Sequence, residues 1–138
     1  MRISQLAAIV AGLAAASAAL ADPTGADVAR GAAVFKAQCA ACHLQKATDT
    51  SPPIGPQLNG VIGRKAGSWD HFKYTDAMRK SGLTWNAKLL DQYLENPYSL
   101  VPGAAMGLLV PVEKNRADVI AYLATNPEDL KQKERAPQ

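Results

Sequence analysis

Soft ligands are scarce in this 138-residue chain, which has two cysteines, two histidines and three methionines. Two thiols cannot build the disulfide framework of a small secreted scaffold. A zinc site would need two ligands beyond the cysteine pair, and the only histidine besides His43 is His71. Long apolar runs are missing too. Leu6 to Leu20 is mostly alanine and falls short of the ~20 more hydrophobic residues that span a bilayer. Neither charge sign dominates: 15 basic residues face 12 acidic ones. The basic residues form no stripe and no aromatic interleaving, which excludes a nucleic-acid partner. No segment alternates at period two, and internal repeats are absent.

Against that scarcity, the sole cysteine pair stands in the pentapeptide Cys39-Ala40-Ala41-Cys42-His43. C-x-x-C-H is the attachment signature of a c-type haem. Thiols three residues apart fall on one helical face and can reach the vinyl groups along one porphyrin edge. The adjacent imidazole of His43 can then serve as an axial iron ligand. A thioredoxin-like redox pair would want a βαβ setting, which the pattern lacks.

The ends carry their own signals. Arg2, the apolar Leu6–Leu20 stretch and Ala19-Leu20-Ala21 read as an export signal cleaved before Asp22. Export suits a haem that is attached outside the bacterial cytoplasm. Residues 22–138 then form a single domain whose own apolar core is marginal. Its last stretch, Lys131-Gln132-Lys133-Glu134-Arg135, is a charged, solvated tail.

Helical spacing organises the rest. Thr24 or Asp27 can cap a first helix through Val28, Gly31, Val34 and Phe35 into Cys39. Gly31 costs helix propensity and marks the close approach of another backbone. Leu44 to Gly67 is rich in proline and glycine and reads as loop. A short helix follows, capped at Thr75 and stopped by Gly82. Another is capped at Asn86, with Leu89, Leu90, Tyr93 and Leu94 inward and Pro97 at its end. Val101 to Pro111 is an apolar loop. Glu113 to Ala124 reads as the strongest amphipathic helix, with Val112, Val119, Ile120 and Leu123 inward. Asn126-Pro127-Glu128-Asp129 signals one more short helix. The fold class is all-α, with long ordered loops.

A haem with one histidine needs a sixth ligand or an open site. Met78, Met106, His71 and a lysine are the candidates. Met78 reads as core filler; Met106, in a Pro-Gly loop far along the chain, can approach the other haem face. At this point the chain resembles class I cytochromes c, particularly the mitochondrial-like and bacterial cytochrome c2 group. The segments that carry the resemblance occur in order: Gly31 and Phe35, Cys39–His43, Gly55-Pro56-Gln57-Leu58, Gly63-Arg64-Lys65, Phe72 to Ala77, Gly82 to Asn86, Tyr93 to Pro97, the Met106 loop, and Asp118 to Leu123.

The resemblance implies a cytochrome c fold of about four to five helices around one haem c held through Cys39 and Cys42. It implies iron between His43 and Met106. Pro56 would accept a hydrogen bond from the second ring nitrogen of His43, and Tyr93 would direct its hydroxyl at the Met106 sulfur. Arg64, Tyr74 and Trp85 would face the propionates. Gly31 and Phe35 would meet Tyr122. Three departures make the methionine side less polar: Met78 for a customary Asn, Ala104 for Thr, and Gly107-Leu108 for an apolar-aromatic pair.

The function so implied is a soluble periplasmic one-electron carrier rather than an enzyme, acting as a monomer without stable membrane insertion. Its donor would be a complex such as cytochrome bc1, and its acceptor an oxidase or a photosynthetic reaction centre. A gas-binding or catalytic haem protein would need an open iron position, which Met106 opposes. A subunit role in a larger complex lacks a span or extra domain to support it. Where relatives ring the haem edge with lysines, this chain has Ala33, Gln38, Tyr98, Ser99, Ala105 and Val112. With Ala104, Leu108 and Leu109 nearby, that edge is expected to be neutral and apolar, unless steering has moved to Lys36, Lys46 or Lys114. Terminal sequencing should find the mature protein starting at Asp22 in the osmotic-shock fraction. An intact Met1 terminus confined to membranes would show instead that the alanine-rich segment is kept as an anchor.

Overall fold

The computed structural model describes residues 25–43 and 54–125. The export segment, Thr24, Lys46 and the C-terminal tail with its expected short helix lie outside them. Five helices make up the fold among the described residues, with no strand. Helix α1 begins at Val28, where the Asp27 carboxylate accepts from the Arg30 N–H at 2.9 Å and caps the first turn. It runs as an α-helix over Val28–Val34, loosens into a π turn over Phe35–Cys39, and resumes over Ala40–His43. In the π turn the Ala40 N–H donates to the Phe35 carbonyl five residues back.

Short helices occupy the middle. The Thr75 hydroxyl accepts from the Met78 N–H and caps α2 (Asp76–Lys80), and Gly82, at φ +70°, turns the chain away after it. Asn86 caps α3 (Ala87–Glu95), which buries Leu90, Tyr93 and Leu94 and keeps Leu89 half-buried. Pro97 does more than end that helix. Asn96 accepts from the Tyr98 and Ser99 N–H groups, and Pro97 becomes the first residue of α4 (Pro97–Leu100). An isolated antiparallel bridge pairs Lys65 with Thr84 and ties the glycine-rich loop to the chain entering α3.

Helix α5 (Glu113–Thr125) packs on α1 and α3. Val119, Ile120 and Leu123 are buried, as the spacing predicts. Two expectations fail here. Val112 is 53% exposed and lies outside the helix, so it is not a core position. Nor is α5 the most sharply segregated helix, because its inner face also buries Arg116 and Asp118. Helix α3 separates apolar from polar more cleanly.

The α1–α5 crossing explains Gly31. A Cβ there would collide with the Asp118 carbonyl and stand 2.8 Å from Tyr122 Cβ, so only glycine lets the two backbones meet. Phe35 packs on Tyr122 with ring centroids 5.4 Å apart. Beside them the buried Asp118 carboxylate accepts from Arg30 Nε at 2.8 Å and from the Asp27 N–H at 2.7 Å, with Lys114 Nζ at 3.4 Å.

The Arg30 hydrogen bond, then the Asp27 N–H and the nearby cations, hold the Asp118 carboxyl at about 2, below its ordinary 3.8. A carboxyl depressed on folding stabilises the protein above its unfolded value, and that stability fades as pH falls through the folded one. Stability should therefore drop between about pH 4 and pH 2 in the wild type. Asp118→Asn should show a flatter acid slope in that window in denaturant titrations. An unchanged slope would mean that other carboxylates carry the acid sensitivity.

Candidate haem site

The π turn has a geometric consequence for the attachment sequence. Each residue of an α-helix advances by roughly 100°, so one extra residue per turn re-aims everything downstream by about that much. Cys39, the last residue of the π turn, is buried, Cys42 beyond it is exposed, and both line one cavity with His43. Burial, and secondarily the neighbouring Cys42, pushes the Cys39 thiol up to about 11. The thiol is therefore neutral in the folded chain.

His43 is oriented from the loop that returns beneath it. Its Nδ1 lies 2.7 Å from the Pro56 carbonyl. A carbonyl only accepts, so Nδ1 carries the proton and Nε2 keeps its lone pair. Burial lowers the imidazole's affinity for a second proton, partly offset by that hydrogen bond. A neutral ring with a fixed tautomer is the form that ligates a metal. Gly55 makes room for it: a Cβ there would stand 2.8 Å from His43 Cε1 and 2.9 Å from Nδ1. The Gly55 N–H also donates to the Cys42 carbonyl at 3.0 Å, which closes the loop onto the end of α1.

The cavity holds about 280 Å³ and is lined chiefly by apolar side chains. Pro56, Arg64, Tyr74, Trp85, Tyr93 and Met106 all line it, and so does Met78. Met78 is thus both core, at 7% exposed, and cavity wall. Ala104 is buried away from the cavity lining, which removes it from the expected apolar edge. His71 is exposed, edge-on to Trp69, and takes no part.

Several of these side chains already have jobs. Arg64 donates from Nη1 to the Gln57 carbonyl and from Nη2 to the Asn59 carbonyl, and its guanidinium lies 5.2 Å from the Trp69 ring centroid. This shapes the loop after Pro56 and holds a cation at the cavity wall. Tyr74 is hydrogen-bonded with the backbone of Trp69 and packs edge-on to Phe72. Burial raises its phenol, with Arg64 pulling the other way. Trp85 and Tyr93 are buried and pack edge to face at 5.1 Å. Burial, with Tyr98 nearby, pushes the Tyr93 phenol up to about 12, so it stays a neutral hydrogen-bond donor.

The residues fit a covalent haem on their own chemistry. Two thiols and a tautomer-fixed imidazole stand together, a thioether shares their cavity, and apolar walls enclose the volume. Among the described residues no cluster of three or more His, Cys, Asp or Glu side chains offers an alternative metal cage. No described helix is long and apolar enough to cross a membrane.

Comparison with known proteins agrees with that chemistry. The cytochrome c family model matches residues 28–127. Cytochrome c2 of Rhodomicrobium vannielii is 52% identical over 102 residues, covering 72% of this chain and 78% of its own length. Cytochrome c of Gibberella zeae is 44% identical over 100 residues, covering 72% and 93% respectively. Among solved structures, cytochrome cH from Methylobacterium extorquens superimposes with a TM-score of 0.63 at 40% identity, covering 72% of this chain and 99% of that one.

Proposed function

The chain belongs to the cytochrome c family, and from that premise we propose that it is a periplasmic one-electron carrier with its iron held between His43 and Met106. The family carries electrons and binds haem c covalently, here through Cys39 and Cys42. Haem c supplies reversible one-electron chemistry; the protein's part is to fix ligands, set polarity and limit reorganisation. The observation that carries the ligand assignment is the His43 ring, pinned to the Pro56 carbonyl in a cavity that Met106 also lines.

Each wall residue then has a defined task. Pro56 keeps the His43 tautomer and raises its basicity. Tyr93, a neutral donor in the same cavity, would supply a hydrogen bond to the thioether. Methionine ligation with apolar walls favours the reduced state. Arg64, with Trp85 and Tyr74, offers a cation and hydrogen-bond donors to propionates that would otherwise bury charge at high cost. The bacterial cytochrome c2 relative and the N-terminal export pattern support the periplasm.

Replacing Met106 with Ala should abolish the weak red absorption band of ferric methionine-ligated haem and open the iron to cyanide. If Met78→Ala did so while Met106→Ala kept the band, the sixth ligand would be Met78.

Partner docking rests on the rim. Ile54 and Leu108 line the cavity while remaining 74% and 39% exposed. Tyr98, Leu109 and Val112 are also exposed, and Tyr98 touches the Met loop near Gly107. Lys65 is the lysine of the cavity lining. Lys114 is committed elsewhere, to the Gly25 carbonyl at 2.9 Å and to Asp118. Lys36 is exposed on the π turn. An apolar rim, with Arg64 and Lys65 as the charged residues of the lining, suits a donor of the cytochrome bc1 type and an oxidase or reaction-centre acceptor that dock by apolar contact. Electron-transfer rates with membranes bearing such complexes should change less than about tenfold between low salt and a Debye length of ~8 Å. A steep fall with salt, reproduced by substituting Lys36 or Lys65, would place steering on those lysines.

A further inference from the structure

Met106 stands in a stretch with no backbone hydrogen bonds of its own. Upstream, the last is the Ala104 N–H to the Val101 carbonyl at 2.9 Å; downstream, the next is the Val110 N–H to the Leu94 carbonyl at 2.8 Å. Between them, among the described residues, Ala105 to Leu109 contribute no backbone–backbone bond. Placement of the thioether therefore depends on two buried anchors, Ala104 and Val110, at 7% and 1% exposed.

The downstream anchor has a second tie. Arg116 of α5 is buried, and its guanidinium spans from α3 to the end of the loop. Nε donates to Asp91 Oδ1 at 2.7 Å, while Nη1 donates to the Val110 carbonyl at 3.0 Å and to the Pro111 carbonyl at 3.1 Å. Nη2 faces Glu95 at 3.8 Å. Asp91 and Glu95 flank Tyr93 and Leu94 on the same helix. One rigid fork thus fixes the distance between the Tyr93 helix and the loop that carries Met106. A buried cation is costly unless its charge and its donors are met, and here both are.

We infer that Arg116 is a positioning residue for Met106, holding the end of the loop against α3 so that the thioether stays seated in the cavity. The inference rests on Met106 as the sixth ligand. It assigns to Arg116 a control over ligand loss, separate from its share in global stability. Removing the guanidinium orphans the buried Val110 carbonyl, whose cost falls on the loop and not on the α1–α5 crossing.

The test uses the ferric holoprotein in four forms: wild type, Arg116→Gln, Asp91→Asn and Arg30→Gln. Arg30→Gln cuts the ion pair to Asp118, which ties α5 to α1 and not to the Met loop, and serves as the stability control. Cyanide uptake should be about tenfold faster in Arg116→Gln, the scale of one unsatisfied buried carbonyl. It should be accelerated less in Asp91→Asn, and stay within about twofold of wild type in Arg30→Gln. Hydrogen exchange gives a second reading: the Val110 amide should lose protection in Arg116→Gln while the Gly31 amide, bonded to the Asp27 carbonyl, keeps it. Equal cyanide rates in Arg116→Gln and Arg30→Gln would reduce Arg116 to a general stabiliser and overturn the inference. Unchanged Val110 exchange would do the same with the ligation intact. Should Arg116→Gln fail to fold, Asp91→Asn decides, and a wild-type rate in it overturns the inference. A wild-type protein without the red band would instead overturn the Met106 ligation beneath it.

Discussion

A backbone crossing at Gly31 fixes where the attachment sequence can be. Because α1 meets α5 with no side chain between them, the two helices have one relative position and not a range. The Asp118 carboxylate, fed by Arg30 and the Asp27 N–H, locks that position at the start of α1. Cys39, Cys42 and His43 lie at the other end of the same helix, so their approach to the cavity is inherited from the crossing. The π turn adjusts the last part of that inheritance, re-aiming the final turn. Pro56 then sets the His43 ring. Each step narrows a freedom that the previous one left.

The methionine wall is built on a different principle. Its ligand lies on irregular chain, whose backbone geometry no helix dictates. Order there has to be imported from α3 and α5 through the Leu94 carbonyl and the Arg116 guanidinium. Such loops lie at the low-stability end of a protein, where local opening precedes global unfolding. The two proposed ligands would thus be held with unequal firmness: His43 by its own helix and a short loop, Met106 by tertiary contacts alone. Ligand loss, when it occurs, should begin on the methionine side.

Much of this was legible in the residues. Asp27, Thr75 and Asn86 announced their helices through capping chemistry, and Gly31 announced the close crossing through its cost to the helix. Cys39 to His43 announced the cofactor. The choice of Met106 over Met78 came from family resemblance, and the cavity, which both methionines line, does not separate them by burial alone. Other features were hidden for physical reasons. The π turn leaves no compositional mark in Phe35–Cys39. The burial of Arg116 and Asp118 leaves no local signal, since their partners Asp91 and Arg30 are distant in sequence. Pro97 looked like a terminator, although a proline at a first helical position starts a helix as readily as it stops one. Val112 was misplaced because period puts a residue on a face only where the helix exists, and the helix starts at Glu113.

Charge in this protein is sorted by place. The buried charged groups, Asp118 and Arg116, are matched within the fold, one at the helix crossing and one behind the Met loop. Their fields are spent on partners within hydrogen-bond reach and project little to the surface. Lys114, which a sequence reading could assign to partner steering, is drawn into the Asp118 cluster. Of the exposed side chains that line the cavity, Ile54 and Leu108 are apolar and Lys65 is charged. Electrostatic steering raises association rates mainly through long-range fields, whereas apolar contact acts only on touching. Docking through such apolar side chains, as proposed, would let a partner leave without breaking charge pairs. For a shuttle that must dissociate after every electron, weak and nondirectional contact is a sufficient docking chemistry.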